Sequence, residues 1–291
     1  MKFGVEIEAI GATADGAARM VNGQGVPCVS ESYNHNVRNH WKVVYDASVH
    51  DTRGNSTRGG RGGFELVSPV LEGENGKEQV RKALKGLRDG GCTVNRTCGL
   101  HVHIDARSMP LDQLKKLVAL YLKHEHLIDA IMPDSRKASA NYFCKSLLNR
   151  VNGGNYPRTE ETRVAAVNQM IRQVLAARDI TALGTIINNG DRYYKINLQS
   201  FWRHGTIEFR QHAGTVNGAK VLAWIELLEA MVIRAGEIER FNPARVSNKS
   251  IRSQFSAFAG NLVSEETRKF FLRRIDALNG TPEPQGFEAT E

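Results

Sequence analysis

The seven residues Gly99-Leu100-His101-Val102-His103-Ile104-Asp105 constrain this chain more than any other stretch. Apolar and polar residues alternate with a period of two, the pattern of a half-buried β-strand. It predicts Leu100, Val102 and Ile104 on a core face and His101, His103 and Asp105 on the opposite face. Two imidazoles and a carboxylate in a row offer nitrogen and oxygen donors suited to metal or phosphate chemistry. The same layout also fits the solvent side of an ordinary amphipathic strand.

Three further stretches share the layout. In Phe3 to Ala9, Val5 and Ile7 point one way and Glu6 and Glu8 the other. Two carboxylates on one dry strand face repel unless a cation lies between them. In Gly205 to His212, Ile207 and Phe209 are expected in the core, with Glu208, Arg210 and His212 on the polar side. The shorter Gly63 to Pro69 adds Glu65. Placed side by side, these strands give a sheet with carboxylates, histidines and an arginine on one face. Such a face suits Mg²⁺ and an anionic, phosphorylated ligand.

Gly4-Val5-Glu6-Ile7-Glu8, Glu65-Leu66-Val67-Ser68-Pro69, Cys98 to His103 and Thr206 to Arg210 together resemble the amidoligase family. That family is a branch of the carboxylate–amine ligases related to glutamine synthetase and glutamate–cysteine ligase. The resemblance runs from about Met1 to Ala235, with the motifs in the family's order. It implies an α+β, glutamine-synthetase-like antiparallel sheet with helices on one face and the active site on the other. It implies metal roles for Glu6, Glu8, Glu65, His101 and Glu208, with Glu65 also counted as catalytic. His103 is implied at the nucleotide phosphates and Arg210 as the catalytic stabiliser of the transferring phosphoryl group. Arg136, Arg192 and Lys195 are further candidates for ATP, and Asp46, Ser68 and Asn197 for substrate. Asp46 fits an ordinary turn-initiating aspartate equally well. ATP and Mg²⁺, or Mn²⁺, are the expected cofactors, with small carboxylate and amine substrates or a protein or nucleic-acid acceptor as partners.

The rest of the chain sets bounds. At 291 residues, with 41% hydrophobic and 24% charged residues, it reads as globular. It has no apolar run of about 18 residues, so no membrane span is expected. Glu6 and Glu8 fall where a signal peptide needs apolar residues. Its four cysteines, Cys28, Cys92, Cys98 and Cys144, have no Cys-x-x-Cys spacing, which points to a reducing cytoplasm. A net charge of +8 fits anionic ligands, and also fits nucleic acid if the charge is clustered. The cluster is His50 to Gly63, where Arg53, Arg58 and Arg61 alternate with five glycines; it reads as a loop, as a lid closing on phosphates, or as a basic arm.

Helices are expected at Ala14–Val21, Glu78–Asp89, Leu111–Ile131, Glu160–Arg178, Ala219–Glu239, Ser250–Ala259 and Ser264–Leu278, with a strand at Arg192–Leu198. His124 and His126 point to different sides of their helix and read as solvated or core-edge residues. Residues 1–240 form the ligase-like domain, 241–280 its helical extension and 281–291 a disordered tail. Two other functions use the same residues. One is a metal-dependent nuclease, which needs neither Arg210 nor a nucleoside triphosphate. The other is a nucleic-acid-binding protein on a decayed ligase scaffold.

Overall fold

The computed structural model describes residues 1–50 and 63–279. The expectations for most of the Arg/Gly-rich segment and for the tail at 281–291 lie outside the described residues. The fold is α+β, built on an open eight-stranded sheet. Its strands are β1 (Lys2–Ile10), β2 (Cys28–Ser30), β3 (Trp41–Tyr45), β4 (Gly63–Val67), β5 (Leu71–Glu72), β6 (Gly99–Asp105), β7 (Ile196–Asn197) and β8 (Thr206–Ala213). Their order is β2-β3-β4-β1-β6-β8-β7, with β5 paired to the start of β1. All pairs are antiparallel except β2 with β3.

Strict alternation decides which side of the central strands is buried. Val5, Ile7, Leu66, Leu100, Val102, Ile104, Ile207 and Phe209 all enter one hydrophobic core. That core is completed by α1 (Ala14–Asn22), α2 (Gly73–Asp89), α3 (Leu111–Ala130), α4 (Glu160–Leu175), α5 (Ile180–Ile187) and, after the short α6 (Ser200–His204), α7 (Gly218–Glu237). The last two helices, α8 (Ile251–Ala259) and α9 (Glu265–Leu278), add Phe255, Phe271 and Ile275 to the same core. No helix among the described residues is long and apolar enough to cross a membrane.

Helix ends follow local chemistry. Thr159 caps α4 through a reciprocal capping box with Thr162, and Asp179 opens α5 by accepting from the Ala182 amide. The helix expected to reach Arg178 therefore ends at Leu175 and restarts as α5. His124 and His126 sit at the core edge: His124 stacks on Phe258 at 4.2 Å, and His126 lies 3.0 Å from Arg163.

Two strand expectations fail for identifiable reasons. The strand expected over Arg192–Leu198 shrinks to Ile196–Asn197, because residues 193 to 195 pair instead with Lys145. Lys195 then points into the core, where Nζ bonds Glu125 at 2.8 Å and Asp129 at 2.6 Å, both on α3. Between β6 and β8 the register shifts: Val102 faces Phe209 but Leu100 faces His212, so His101 opposes both Arg210 and Gln211. This bulge reverses the alternation. His212 accordingly lies on the core side, fully buried beside Trp224, and not on the polar face. Gln211 turns inward too, donating to Asp129 and the Arg136 carbonyl and accepting from Tyr121.

Candidate active site

Because the polar positions of β1, β4, β6 and β8 are neighbours in the sheet, their side chains meet. Glu6 lies opposite His101, Glu8 opposite Glu65, and His103 opposite Glu208. His101 Nδ1 is 3.1 Å from Glu6 Oε2 and 3.7 Å from Glu208 Oε1, while its Nε2 is 3.9 Å from Glu8. His103 Nε2 is 3.4 Å from Glu6 and 3.9 Å from Glu208, and Nδ1 meets the Thr206 hydroxyl at 3.0 Å. Arg210 donates to Glu208 at 2.5 Å and to the Phe143 carbonyl at 3.3 Å. Asn197 donates to the other Glu208 oxygen at 2.6 Å, and the Gly99 amide donates to Glu8.

These residues line a chamber of about 370 Å³. Ten of the sequence-derived candidates reach it: Glu6, Glu8, Asp46, Glu65, His101, His103, Arg192, Asn197, Glu208 and Arg210. Asp46 also accepts from the Ser48 amide at 2.7 Å, so it makes its turn and faces the chamber at once. A narrower cavity of about 110 Å³ shares Glu6, Glu65, His35, His103 and His204 with the chamber. It continues along the sheet towards Val37, Lys42, Val67, Val70 and Arg107.

Three candidates do not line the chamber. Ser68 borders the narrower cavity, but its hydroxyl accepts from the Val5 amide and donates to the Pro69 carbonyl; it fixes the strand end. Lys195 is behind the sheet, held by Glu125 and Asp129, which removes it as a phosphate contact. Arg136 is buried and donates to the Cys98 carbonyl at 2.6 Å, placing its charge behind Glu8 and not in the chamber. Conversely, Tyr33, His35, Phe143, Tyr193, Arg203 and His204 line the chamber without having been singled out. They sit on irregular segments or the short α6, where no periodicity marks a face.

Electrostatics divides the carboxylates. Burial pushes Glu6 upward, but His103 and His101 outweigh it and hold the carboxyl well below its ordinary value. Glu208 is likewise lowered: burial opposes, and Arg210 and His103 prevail. Glu8 is raised by burial despite His101. Glu65 is raised well above the usual carboxylate range by burial and by repulsion from Glu6, Glu8 and Asp46. Burial works against the His103 cation, yet Glu6 and Glu208 raise its pKa.

The donor set fits a cation. Glu6, Glu65 and His101, then Glu6, His103 and Glu208, then Glu8, Asp46 and Glu65 each bring three ligand atoms within 4.8 Å of one another. His103 Nε2 is buried without a hydrogen-bond partner, an atom aimed into the cluster with its bonding capacity unused. The raised pKa of Glu65 is the response of crowded carboxylates lacking a counter-charge. Mostly oxygen donors with imidazole support suit Mg²⁺ or Mn²⁺.

No curated protein matches the chain. The model of the family described as "Putative amidoligase enzyme" matches residues 1–232, a span that includes every residue of the chamber. The chain belongs to that amidoligase family.

Proposed function

We propose that this protein is an ATP- and Mg²⁺-dependent carboxylate–amine ligase that forms an amide or peptide-like bond through an acyl phosphate, on a glutamine-synthetase-like sheet. The observation that carries the reading is the convergence of five carboxylates, four histidines and three arginines, Arg210 among them, in one chamber.

Glu6, Glu8, Glu65, His101 and Glu208 would hold divalent cations, with Glu6, Glu65 and His101 forming one three-donor group and Glu8 and Glu208 belonging to the two beside it. Bound there, Mg²⁺ would neutralise the ATP phosphates. Arg210 supplies a permanent positive charge where charge builds on the transferring phosphoryl group. Its aim is fixed twice, by Glu208 and by the Phe143 carbonyl. Asn197 holds the second Glu208 oxygen, so the carboxylate cannot rotate away. His103, with its ring set by the Thr206 hydroxyl, turns its unpartnered Nε2 towards the cluster, where it can meet a nucleotide phosphate. The narrower cavity beyond His103, lined by Val67, Pro69 and Val70, suits the apolar faces of a nucleobase. Tyr33, Phe143 and Tyr193 give the chamber an aromatic wall beside these groups.

The test is ADP release with Mg²⁺ and panels of amino acids and amines. Arg210→Lys keeps a charge but loses the two-point aim, and is expected to lower turnover by roughly 10²-fold or more. ADP release indifferent to Arg210→Lys, or Mg²⁺-dependent DNA or RNA cleavage without ATP, would overturn the reading in favour of a nuclease.

A further inference from the structure

Asp129, buried on α3 behind the sheet, is bonded by three pieces of chain that lie far apart in sequence. Its Oδ1 accepts from Lys195 Nζ at 2.6 Å and from Gln211 Nε2. Its Oδ2 accepts from the Ala138 amide at 2.8 Å. A buried carboxylate is tolerated only when donors offset its lost hydration, and these three serve that need. They also have a second thing in common.

Each piece fixes Arg210. Gln211 follows it on β8, at the bulge where both residues oppose His101. A bulge leaves one residue outside the regular ladder, so other contacts must set its direction. Gln211 supplies them through Asp129, the Arg136 carbonyl and the Tyr121 hydroxyl. The Lys195 carbonyl accepts from the Arg210 amide at 2.9 Å. The segment that begins at Ala138 brings the Phe143 carbonyl to Arg210 Nε at 3.3 Å. Ala138 has a φ of 48°, a left-handed conformation that a residue other than glycine keeps only when its surroundings hold it there. Glu125, one turn earlier on α3, gives the contrast. It shares Lys195 at 2.8 Å, yet neither Gln211 nor the Ala138 amide bonds to it. Of the two carboxylates on Lys195, Asp129 alone joins all three pieces.

We infer that Asp129 is a positioning residue: from the core side of the sheet it fixes the aim of Arg210 into the chamber, through Gln211, Lys195 and the segment leading to Phe143. The inference rests on the ligase reading for its effect on turnover, while its effect on Arg210 itself can be measured without nucleotide.

The first readout is hydrogen exchange of the Arg210 Nε–H, followed by ¹⁵N NMR and identified by its absence from Arg210→Lys. Asp129→Asn keeps the shape of the side chain, but whichever way its amide turns, the NH₂ faces a donor: the Ala138 amide, or Lys195 and Gln211. Gln211→Met, which removes the bonds from β8 at similar volume, is the second variant, and circular dichroism verifies that each is folded. Both should speed the exchange about tenfold or more, and Glu125→Gln less than about twofold, as a local opening confined to the Arg210 supports requires. In ADP release, Asp129→Asn should lower kcat about tenfold or more with the KM for ATP within about twofold, because a misplaced transition-state charge spares ground-state binding. In an Arg210→Lys background the same change should add less than about twofold, since the aim it serves is already lost. Unchanged exchange in both variants, equal acceleration by Glu125→Gln, or a full further loss in the Arg210→Lys background would overturn the inference. A loosened Arg210 in a protein that releases no ADP with any acid and amine would sink the ligase reading alone. ADP release untouched by Asp129→Asn would sink this inference alone.

Discussion

Replacing Lys195 with methionine removes the cation that, among the described residues, alone bonds both Glu125 and Asp129, at a buried position. The side chain of Lys195 is 1% exposed and that of Glu125 is 2% exposed. The two partners do not suffer equally. Asp129 keeps donors from Gln211 and from the Ala138 amide at 2.8 Å, whereas Glu125 loses its principal counter-charge. An uncompensated buried charge of this kind costs about 3–5 kcal/mol, a large share of the roughly 5–15 kcal/mol by which a domain is stable. The variant can escape by protonating Glu125. Burial already raises that carboxyl in the folded protein, and Lys195 is the main influence opposing the rise. Removing Lys195 raises it further. A raised folded pKa contributes stability that is fully present below the unfolded value, about 4.3, and is lost as pH rises through the folded value. The deficit of Lys195→Met should therefore be large at pH 8 and smaller at pH 5.5. Urea unfolding followed by circular dichroism at the two pH values measures it. The double variant Lys195→Met/Glu125→Leu should recover part of the loss. A deficit below about 1 kcal/mol, well under the range for a broken buried pair, or one independent of pH, would refute the reasoning.

Other expectations follow from the packing. Burial pushes the His212 pKa down to about 3, so this imidazole is neutral in the folded protein; its contribution is present above the unfolded value of about 6.5 and is lost as pH falls through about 3. His212→Phe should flatten the acid limb of a stability–pH profile below pH 6.5, and an unchanged profile would count against that burial. A Cβ at Gly86 would lie 2.4 Å from the Met20 carbonyl oxygen where α2 crosses α1. Gly86→Ala should cost about 1–3 kcal/mol by overpacking, despite alanine's better helix propensity, and a stabilised variant in thermal melts would contradict the close approach.

The central strands were legible from sequence because their alternation is unbroken: Val5 and Ile7, Leu66, and Val102 and Ile104 face the core as the period of two requires. Once those faces are set, Glu6, Glu8, Glu65, His101 and His103 must share the opposite side. His212 was misplaced because a one-residue bulge reverses every side chain beyond it, and nothing within β8 itself announces one. Lys195 was misplaced because a charged residue was assigned to the polar face, although α3 offers Glu125 and Asp129 four residues apart on a largely buried helix. Such a pair (i, i+4 on one face) is a demand for a buried cation. Tyr33, His35, Phe143 and Arg203 are not marked by any pattern because loops, a single 3-10 turn and the short α6 reach the site through tertiary placement, which no local period encodes.

Calorimetry of ATP binding with and without Mg²⁺, on the unaltered protein and on Glu6→Ala, tests the central claim most directly. Glu6 takes part in two of the three donor groups, so its loss should abolish the Mg²⁺-dependent part of the binding heat while the protein stays folded. ATP binding that ignores Mg²⁺, or that survives Glu6→Ala unchanged, would contradict the account of the chamber as a cation-dependent ligase site.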